Sequence, residues 1–265
     1  MTDDVYRRLA ANIEQRRQEG AAREAEMHRA AEAGDWSTLC PADKARCVGV
    51  SRFGLTCPAA DGCPFSADRA AAVRRDYLRL CGFGPAYQDP DPARLLGRDI
   101  QRDSNLDGVI ADLEDYWARI GEHIAGNHGM MLMGPPGTGK TFALALTALS
   151  ARGLGGDVRA VFAPRLFDLM HDKSYLVDVY ADANLLLLDD FGVQYTADWV
   201  ISRFQSFVEH RWSRRLTTCV TTNLTWDRIE TLAGYERFVS RLEQWCGERM
   251  WVVGTTDLRR ATPAA

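Results

Sequence analysis

An eight-residue segment, Gly-Pro-Pro-Gly-Thr-Gly-Lys-Thr at positions 134–141, constrains the fold of this chain more than any other part of its sequence. It satisfies the pattern G-x-x-x-x-G-K-[ST] without a mismatch. The apolar residues Met130 to Met133 precede it as a strand would, and Phe142 to Ser150 follow with the composition of a helix. Because a glycine loop in that setting turns backbone N–H groups and the positive end of the helix towards one point, the segment predicts a phosphate site.

The residues of this loop have separate predicted roles. Glycines without side chains let the main chain surround a phosphate, Lys140 would reach the β- and γ-phosphates of ATP, and the Thr141 hydroxyl would bind Mg²⁺. An ordinary glycine turn is the alternative, and the strand and helix on either side argue against it. The predicted ATP-binding residues of the loop are Gly134, Pro135, Pro136, Gly137, Thr138, Gly139, Lys140 and Thr141.

Two carboxylates follow the apolar run Leu185 to Leu188. A buried strand tolerates aspartate only at its exposed carboxyl end, so Asp189 is expected to face Mg²⁺ and Asp190 to orient or deprotonate the attacking water. Asn223 ends a later apolar strand and is the predicted residue that holds this water against the γ-phosphate. A solvated acidic turn and a turn-forming asparagine are the alternatives.

Short apolar runs alternate with helical segments from Leu106 onwards. They predict an α/β fold with a five-stranded parallel sheet and flanking helices, whose ligands bind at the carboxyl ends of the strands. The glycine- and proline-rich residues 82–99 indicate a linker, so we expect an N-terminal module at 1–95 and a nucleotide-binding domain at 96–265. The five runs are GMMLMG, VRAVFA, LLLLDD, TTCVTTN and RMWVVGT.

The N-terminal part differs in composition from the rest. Residues 3–33 are rich in Ala, Glu and Arg and contain no proline, and four cysteines follow within one short stretch. Four thiolates suit a tetrahedral metal, so we expect a small helical, cysteine-rich module that binds zinc; an iron–sulfur cluster and free thiols are the alternatives. The predicted ligands are Cys40, Cys47, Cys57 and Cys63, with Cys81 as a spare.

Composition excludes several classes of protein. The net charge of -4, from 32 basic and 36 acidic residues, argues against a protein that coats nucleic acid through bulk charge. No run of about 18 apolar residues occurs, and the first residues contain no apolar core of a signal peptide. We therefore expect a cytoplasmic protein without a membrane partner.

Taken in order, the segments GPPGTGKT, LLLLDDFG, TTN, YERFVSRL and WVVGTTDLRR resemble those of the AAA+ ATPases of the DnaC-like helicase-loader and IstB-like transposition-helper family. The resemblance covers about residues 100 to 260 and implies a P-loop AAA+ domain. It implies that Asp189, Asp190 and Gly192 form the acidic turn, that Arg241 reaches the γ-phosphate of a neighbouring subunit, and that Arg260 senses the nucleotide. Arg259 is the alternative to Arg260. Arg237 lies one helical turn before Arg241 on the same face, and two solvated arginines are the alternative for this pair.

The same resemblance implies what such a protein would act on. It implies ATP hydrolysis by a nucleotide-dependent homo-oligomer that engages DNA, with single-stranded DNA expected first, and that delivers or activates a replicative helicase or a transposase. A helicase loader is the leading expectation; an IstB-like transposition helper, a nucleotide-gated adaptor with little turnover and a small-molecule kinase are the alternatives. One predicted helix is either a DNA-contacting surface or a packed amphipathic helix, and it contains Arg203, Phe204, Phe207, Arg211, Trp212, Arg214 and Arg215.

Overall fold

The computed structural model of the chain describes residues 66–88, 90, 104–172, 174–192 and 197–253, without the side chains of 66–70 and 104–107. The chain divides into two compact units, Met1–Arg75 and Asp76–Ala265. Residues 3–33 of the predicted helical module, its four clustered cysteines and the predicted boundary between 95 and 96 lie outside the described residues, and the expectations for them stay predictions.

Helices and strands alternate from Ser104 onwards, as the apolar runs predicted. Helix α1 spans Ser66–Cys81 and a short 3-10 turn spans Pro85–Tyr87. The remaining elements in chain order are α2 (Ser104–Ala118), α3 (Ile120–Gly126), β1 (Met131–Met133), α4 (Lys140–Ser150), β2 (Val158–Phe162), α5 (Ala163–His171), α6 (Leu176–Ala181), β3 (Leu185–Phe191), α7 (Asp198–Ser213), β4 (Thr217–Thr222), α8 (Trp226–Glu230), α9 (Glu236–Cys246) and β5 (Met250–Val252).

All five strands run parallel in one sheet, in the order β2-β3-β4-β1-β5. This confirms the predicted five-stranded parallel sheet. The order inserts β4 between β1 and β3, although β4 comes later in the chain than both. The carboxyl ends of β1, β4 and β3 are therefore neighbours at one edge of the sheet, where the topology of an open parallel sheet places a ligand.

Alternate residues of the buried strands point into two separate apolar layers, so helices cover both faces of the sheet. Leu186 and Leu188 of β3 join one layer, which contains the aromatic rings of Phe167, Phe204 and Phe238. Leu185 and Leu187 join the other, with residues from α1, α2 and α4. Among the described helices, none is both long and apolar enough to cross a membrane.

Helix α7 is the packed amphipathic helix of the two alternatives, and it does not expose its phenylalanines for base stacking. Phe204 is fully buried, Phe207 is buried, and the ring of Trp212 is covered by the Arg241 guanidinium, whose carbon lies 3.5 Å from the ring centroid. Base stacking by these phenylalanines is therefore wrong, because the aromatic face of α7 completes the apolar layer that holds the helix on the sheet, whereas phosphate contact by the exposed Arg214 and Arg215 stays a prediction.

Arg211 of α7 is fully buried, and its guanidinium donates to neutral oxygen acceptors. Burial lowers its pKa to about 9, which still leaves it charged at neutral pH. Its five hydrogen bonds join the end of α6 to the start of β4. They run to Tyr180 O (2.9 Å), Ala181 O (3.2 Å), Ala183 O (2.8 Å), Thr217 O (2.6 Å) and Thr218 Oγ1 (3.0 Å).

Replacing Arg211 with methionine should lower the free energy of unfolding by more than about 3 kcal/mol. Several buried acceptors then lack a donor, and each unsatisfied acceptor costs about 1–3 kcal/mol. Urea unfolding measures this. Arg214→Met is the matched control, since the Arg214 side chain is 63% exposed and its ion pair with Asp182 lies at the surface. The control should change stability by less than about 0.5 kcal/mol; equal losses in the two variants would contradict the prediction.

His123 lies buried against the ring of Tyr116, with centroids 4.3 Å apart, and neither ring nitrogen has a hydrogen-bond partner among the described residues. Burial lowers its pKa, and nearby positive charge lowers it further. Asp115 acts in the opposite direction. The charged or titratable neighbours that lower the pKa are Arg249, Arg119 and His128.

A buried histidine with a lowered pKa makes stability depend on pH. The unfolded chain binds the His123 proton more readily than the folded chain, so this stability is complete above the unfolded pKa of about 6.5 and declines as pH falls below it. We expect His123→Phe, which keeps an aromatic ring against Tyr116, to lose less stability than wild type between pH 7 and pH 5. Urea unfolding across that range tests this, and parallel pH curves for the two chains would contradict it.

Candidate functional site

The loop between β1 and α4 has the backbone that its glycines predict. Gly137 and Gly139 have φ of 87° and 90°, which favour glycine. Gly134 approaches the end of β5 so closely that an added Cβ would lie 2.4 Å from Val253 O. Gly134 N also donates to Thr222 O of β4 at 3.2 Å. The loop is therefore joined to both strands that flank β1.

Lys140, the first residue of α4, is buried, with 7% of its surface exposed. Its Nζ donates to Gly134 O and Pro135 O, each at 2.7 Å, so the side chain folds back across the loop. The Thr138 hydroxyl also donates to Pro135 O, at 3.0 Å. A lysine ammonium and the positive end of a helix thus lie together at the glycine loop, which is the charge that a phosphate group requires.

Thr141 and Asp189 bring two hard oxygen donors together from different elements. The Thr141 hydroxyl of α4 donates to both carboxylate oxygens of Asp189 at the end of β3, at 3.0 Å each. Mg²⁺ prefers such oxygen ligands and is bound in nucleotide sites by one or two protein groups together with phosphates. The residues present therefore fit the predicted magnesium site.

The carboxyl group of Asp189 is partly withdrawn from solvent. Burial raises its pKa, hydrogen bonds from Thr221 and Thr141 oppose that rise, the nearby charge of Asp190 adds to it, and Lys140 lowers it. A divalent cation bound there would stabilise the charged form further.

Asp190 and Asn223 meet across the ends of β3 and β4. The ladder between these strands shifts register between Leu188 and Phe191, and Asp190 has φ of 56°, in the left-handed region. Asn223 Nδ2 donates to Asp190 Oδ1 at 2.5 Å. The structure thus places both predicted water-orienting residues side by side at the carboxyl edge of the sheet.

Thr221 is a site residue that the sequence analysis missed. Its hydroxyl donates to Asp189 Oδ1 at 2.6 Å and accepts the N–H of Asp190 at 2.9 Å. The available signal was a polar residue, Thr221, next to the last buried residue of β4. Its role could be interpreted only once the strand order placed β4 beside β3.

Arg241 and Arg237 of α9 lie in different surroundings. Arg241 forms an ion pair with Glu209 of α7 at 3.2 Å, donates to Gln244 and covers the ring of Trp212, which leaves 21% of its side chain exposed. None of these partners belongs to the phosphate loop or the β3 carboxylates. Arg237 is exposed, one turn earlier on the same helix.

Several predicted residues lie outside the part of the chain that the structure describes. They are Arg259 and Arg260 and the ligands Cys40, Cys47, Cys57 and Cys63. The cysteines that are described, Cys81, Cys219 and Cys246, are buried free thiols whose pKa values are raised by burial. Within the described ranges no three His, Cys, Asp or Glu side chains are grouped so as to hold a metal ion. The spare-ligand role of Cys81 stays a prediction, because the four cysteines with which it would share a metal lie outside these ranges.

Solved structures of DNA-replication proteins share this fold. A proposed primosome component from Streptococcus pyogenes serotype M3 is 20% identical, with a TM-score of 0.55 over 71% of this chain and 97% of its own. The DnaC helicase loader is 18% identical, with a TM-score of 0.51 over 64% of this chain and 100% of its own. DnaI is 20% identical, with a TM-score of 0.50 over 70% of this chain and 93% of its own. No family model and no curated protein sequence matches the chain. At the level of fold, the predicted resemblance to DnaC-like AAA+ proteins is confirmed.

Proposed function

We propose that this chain is an AAA+ ATPase that loads a replicative DNA helicase onto DNA. The observation that carries the proposal is the convergence of Lys140, Thr141, Asp189, Asp190 and Asn223 at one edge of the sheet. The fold shared with DnaC and DnaI supports the helicase-loading part.

The side chains at this edge have separate roles in phosphoryl transfer. Lys140 and the loop N–H groups bind the β- and γ-phosphates, and Thr141 and Asp189 are the protein groups that would hold Mg²⁺. When bound, Mg²⁺ would neutralise charge on the phosphate oxygens. Asp190 accepts a proton from the attacking water or orients it, and the Asn223 amide holds the carboxylate of Asp190 in place.

Hydrolysis is completed between subunits in this proposal, with Arg241 of a neighbouring chain supplying positive charge at the γ-phosphate. Support comes from the match of YERFVSRL to the family. Within one chain Arg241 is occupied by Glu209 and Trp212, so assembly must exchange or share those contacts. Arg237, one turn away and exposed, is the competing donor.

A pull-down with the host's replicative helicase tests the partner. We expect the helicase to be retained by the wild-type chain with Mg·ATP and single-stranded DNA, and the chain to increase the amount of helicase bound to a DNA circle. Retention of a transposase instead would favour the transposition-helper alternative. If neither partner is retained and small molecules are phosphorylated, the kinase alternative replaces the proposal.

A further inference from the structure

The hydroxyl of Thr221 lies between two carboxylate residues that have different proposed roles. Thr221 is fully buried on β4 and pairs in register with Leu132 of β1, so its backbone belongs to the rigid centre of the sheet. Its Oγ1 lies 2.6 Å from Asp189 Oδ1 and 2.9 Å from Asp190 N. One side chain of a central strand therefore contacts both members of the acidic pair.

The two contacts use the hydroxyl once as a donor and once as an acceptor. Its single O–H donates to Asp189, so a lone pair is left to accept the N–H of Asp190. That N–H needs a partner because the β3 to β4 ladder is irregular between Leu188 and Phe191. Asp190 is a non-glycine residue with φ of 56°, a conformation that persists only where its surroundings impose it.

We propose that Thr221 is a positioning residue of the ATPase site, whose hydroxyl holds the Asp189 carboxylate towards Thr141 and fixes the backbone turn that brings Asp190 to Asn223. The inference rests on the proposed function. In this proposal one hydroxyl keeps Asp189 facing the metal and Asp190 facing the water. A residue that orients a metal ligand in this way typically contributes about 10- to 100-fold in metal affinity or activity.

Thr221→Val tests the hydroxyl, since valine keeps the shape of threonine and removes both hydrogen bonds. Thr221→Ser is the rescue variant because serine retains the donor and the acceptor. Thr222→Val is the matched control. Thr222 is equally buried on the next position of β4, but its hydroxyl donates to Phe191 O and accepts from Leu224 N, and so contacts neither carboxylate.

The readout is the gain in affinity for a non-hydrolysable ATP analogue when Mg²⁺ replaces EDTA, measured by calorimetry, together with kcat and KM for ATP. Thr221→Val should lose about 10- to 100-fold of this Mg²⁺-dependent gain and a similar factor in kcat, with binding in EDTA unchanged. Thr221→Ser should stay close to wild type. Thr222→Val should keep the Mg²⁺-dependent gain, even if its stability falls.

The proposal is overturned if Thr221→Val keeps the full Mg²⁺-dependent gain, or if Thr221→Ser loses as much as Thr221→Val. An equal loss in Thr222→Val would also overturn it, because burial of any hydroxyl would then explain the effect. If Thr221→Val does not fold, Thr221→Ala takes its place with the same expected result. A wild-type chain that binds no nucleotide under either condition refutes the proposed function itself, which separates the two failures.

Discussion

Lys140→Met should remove most of the chain's affinity for ATP while leaving the sheet folded. The ammonium of Lys140 lies against the loop carbonyls of Gly134 and Pro135, at the N-terminus of α4. Hydrogen bonds to charged groups contribute about 1.5–3 kcal/mol each, so losing two of them to phosphate lowers affinity by on the order of 100-fold or more. Methionine retains the aliphatic length that packs beside the loop.

Calorimetric titration with a non-hydrolysable ATP analogue and Mg²⁺ measures this loss, and circular dichroism checks the fold. Arg165→Met is the matched control, because Arg165 is an exposed cation in the first turn of a different helix, α5. The control removes the same charge and should bind as wild type does. Equal affinity in Lys140→Met and wild type would mean that the glycine loop is not the nucleotide site.

Arg241→Ala should lower the ATP turnover of the assembled protein by about 10³- to 10⁵-fold, the range measured for arginines that reach a γ-phosphate from a neighbouring subunit. The structure adds a second effect. Arg241 covers Trp212 and pairs with Glu209, so the variant also loses contacts between α9 and α7. Nucleotide binding, which uses the glycine loop and none of the contacts of Arg241, should persist, and its persistence would show that the variant is folded.

Mixing variants separates catalysis in trans from loss of packing. Lys140→Met chains still offer Arg241, and Arg241→Ala chains still bind ATP, so their mixture should recover activity at mixed interfaces when single-stranded or duplex DNA is present. A packing defect would not be rescued by mixing. The same mixture with Arg237→Ala in place of Arg241→Ala tests whether the exposed Arg237 supplies the positive charge at the γ-phosphate.

Two results contradict the assignment of Arg241. One is a mixture that stays inactive under conditions in which the wild type hydrolyses ATP. The other is a variant Arg241→Ala that hydrolyses ATP normally by itself. If Arg237→Ala shows the large loss and the rescue instead, the catalytic arginine lies one turn earlier on α9.

The central strands were predictable because the apolar runs of β1, β3 and β4 are buried on both sides in a parallel sheet. Leu185 to Leu188 contribute to both apolar layers, so the whole run is hydrophobic. The glycine loop was predictable for a different reason: its backbone angles and close approaches restrict Gly134, Gly137 and Gly139 to glycine. Both signals are local in the sequence.

The strand order and the contacts that depend on it were not predictable from these local patterns. No single motif shows that β4 lies between β1 and β3, and without that order the hydroxyl of Thr221 has no visible partner. Helix α7 was ambiguous because Phe204 and Arg211 suit a nucleic-acid surface and a packed helix equally well in composition. Their burial depends on what lies beneath, which in this chain is an apolar layer and a set of backbone carbonyls.

The same limit applies to Arg241. The segment YERFVSRL predicts two arginines on one helical face, but it does not contain the residues of α7 that bind one of them. Glu209 and Trp212 lie two helices earlier in the chain and meet Arg241 only because α7 and α9 pack together. Which arginine is available to a neighbour is therefore a property of the tertiary structure.

Steady-state ATP hydrolysis by the wild-type chain, measured beside Asp190→Asn with single-stranded DNA and the replicative helicase present, shows whether the chain is an ATPase that uses Asp190. We expect the wild type to release phosphate continuously, and Asp190→Asn to bind the nucleotide as tightly while its turnover falls by about 10²- to 10⁴-fold, because asparagine can accept no proton from the water. Asn223 would still face position 190 in the variant, so the site should keep its shape. Equal turnover in the two chains would contradict the role of Asp190, and no turnover in the wild type despite tight binding would identify a nucleotide-gated adaptor.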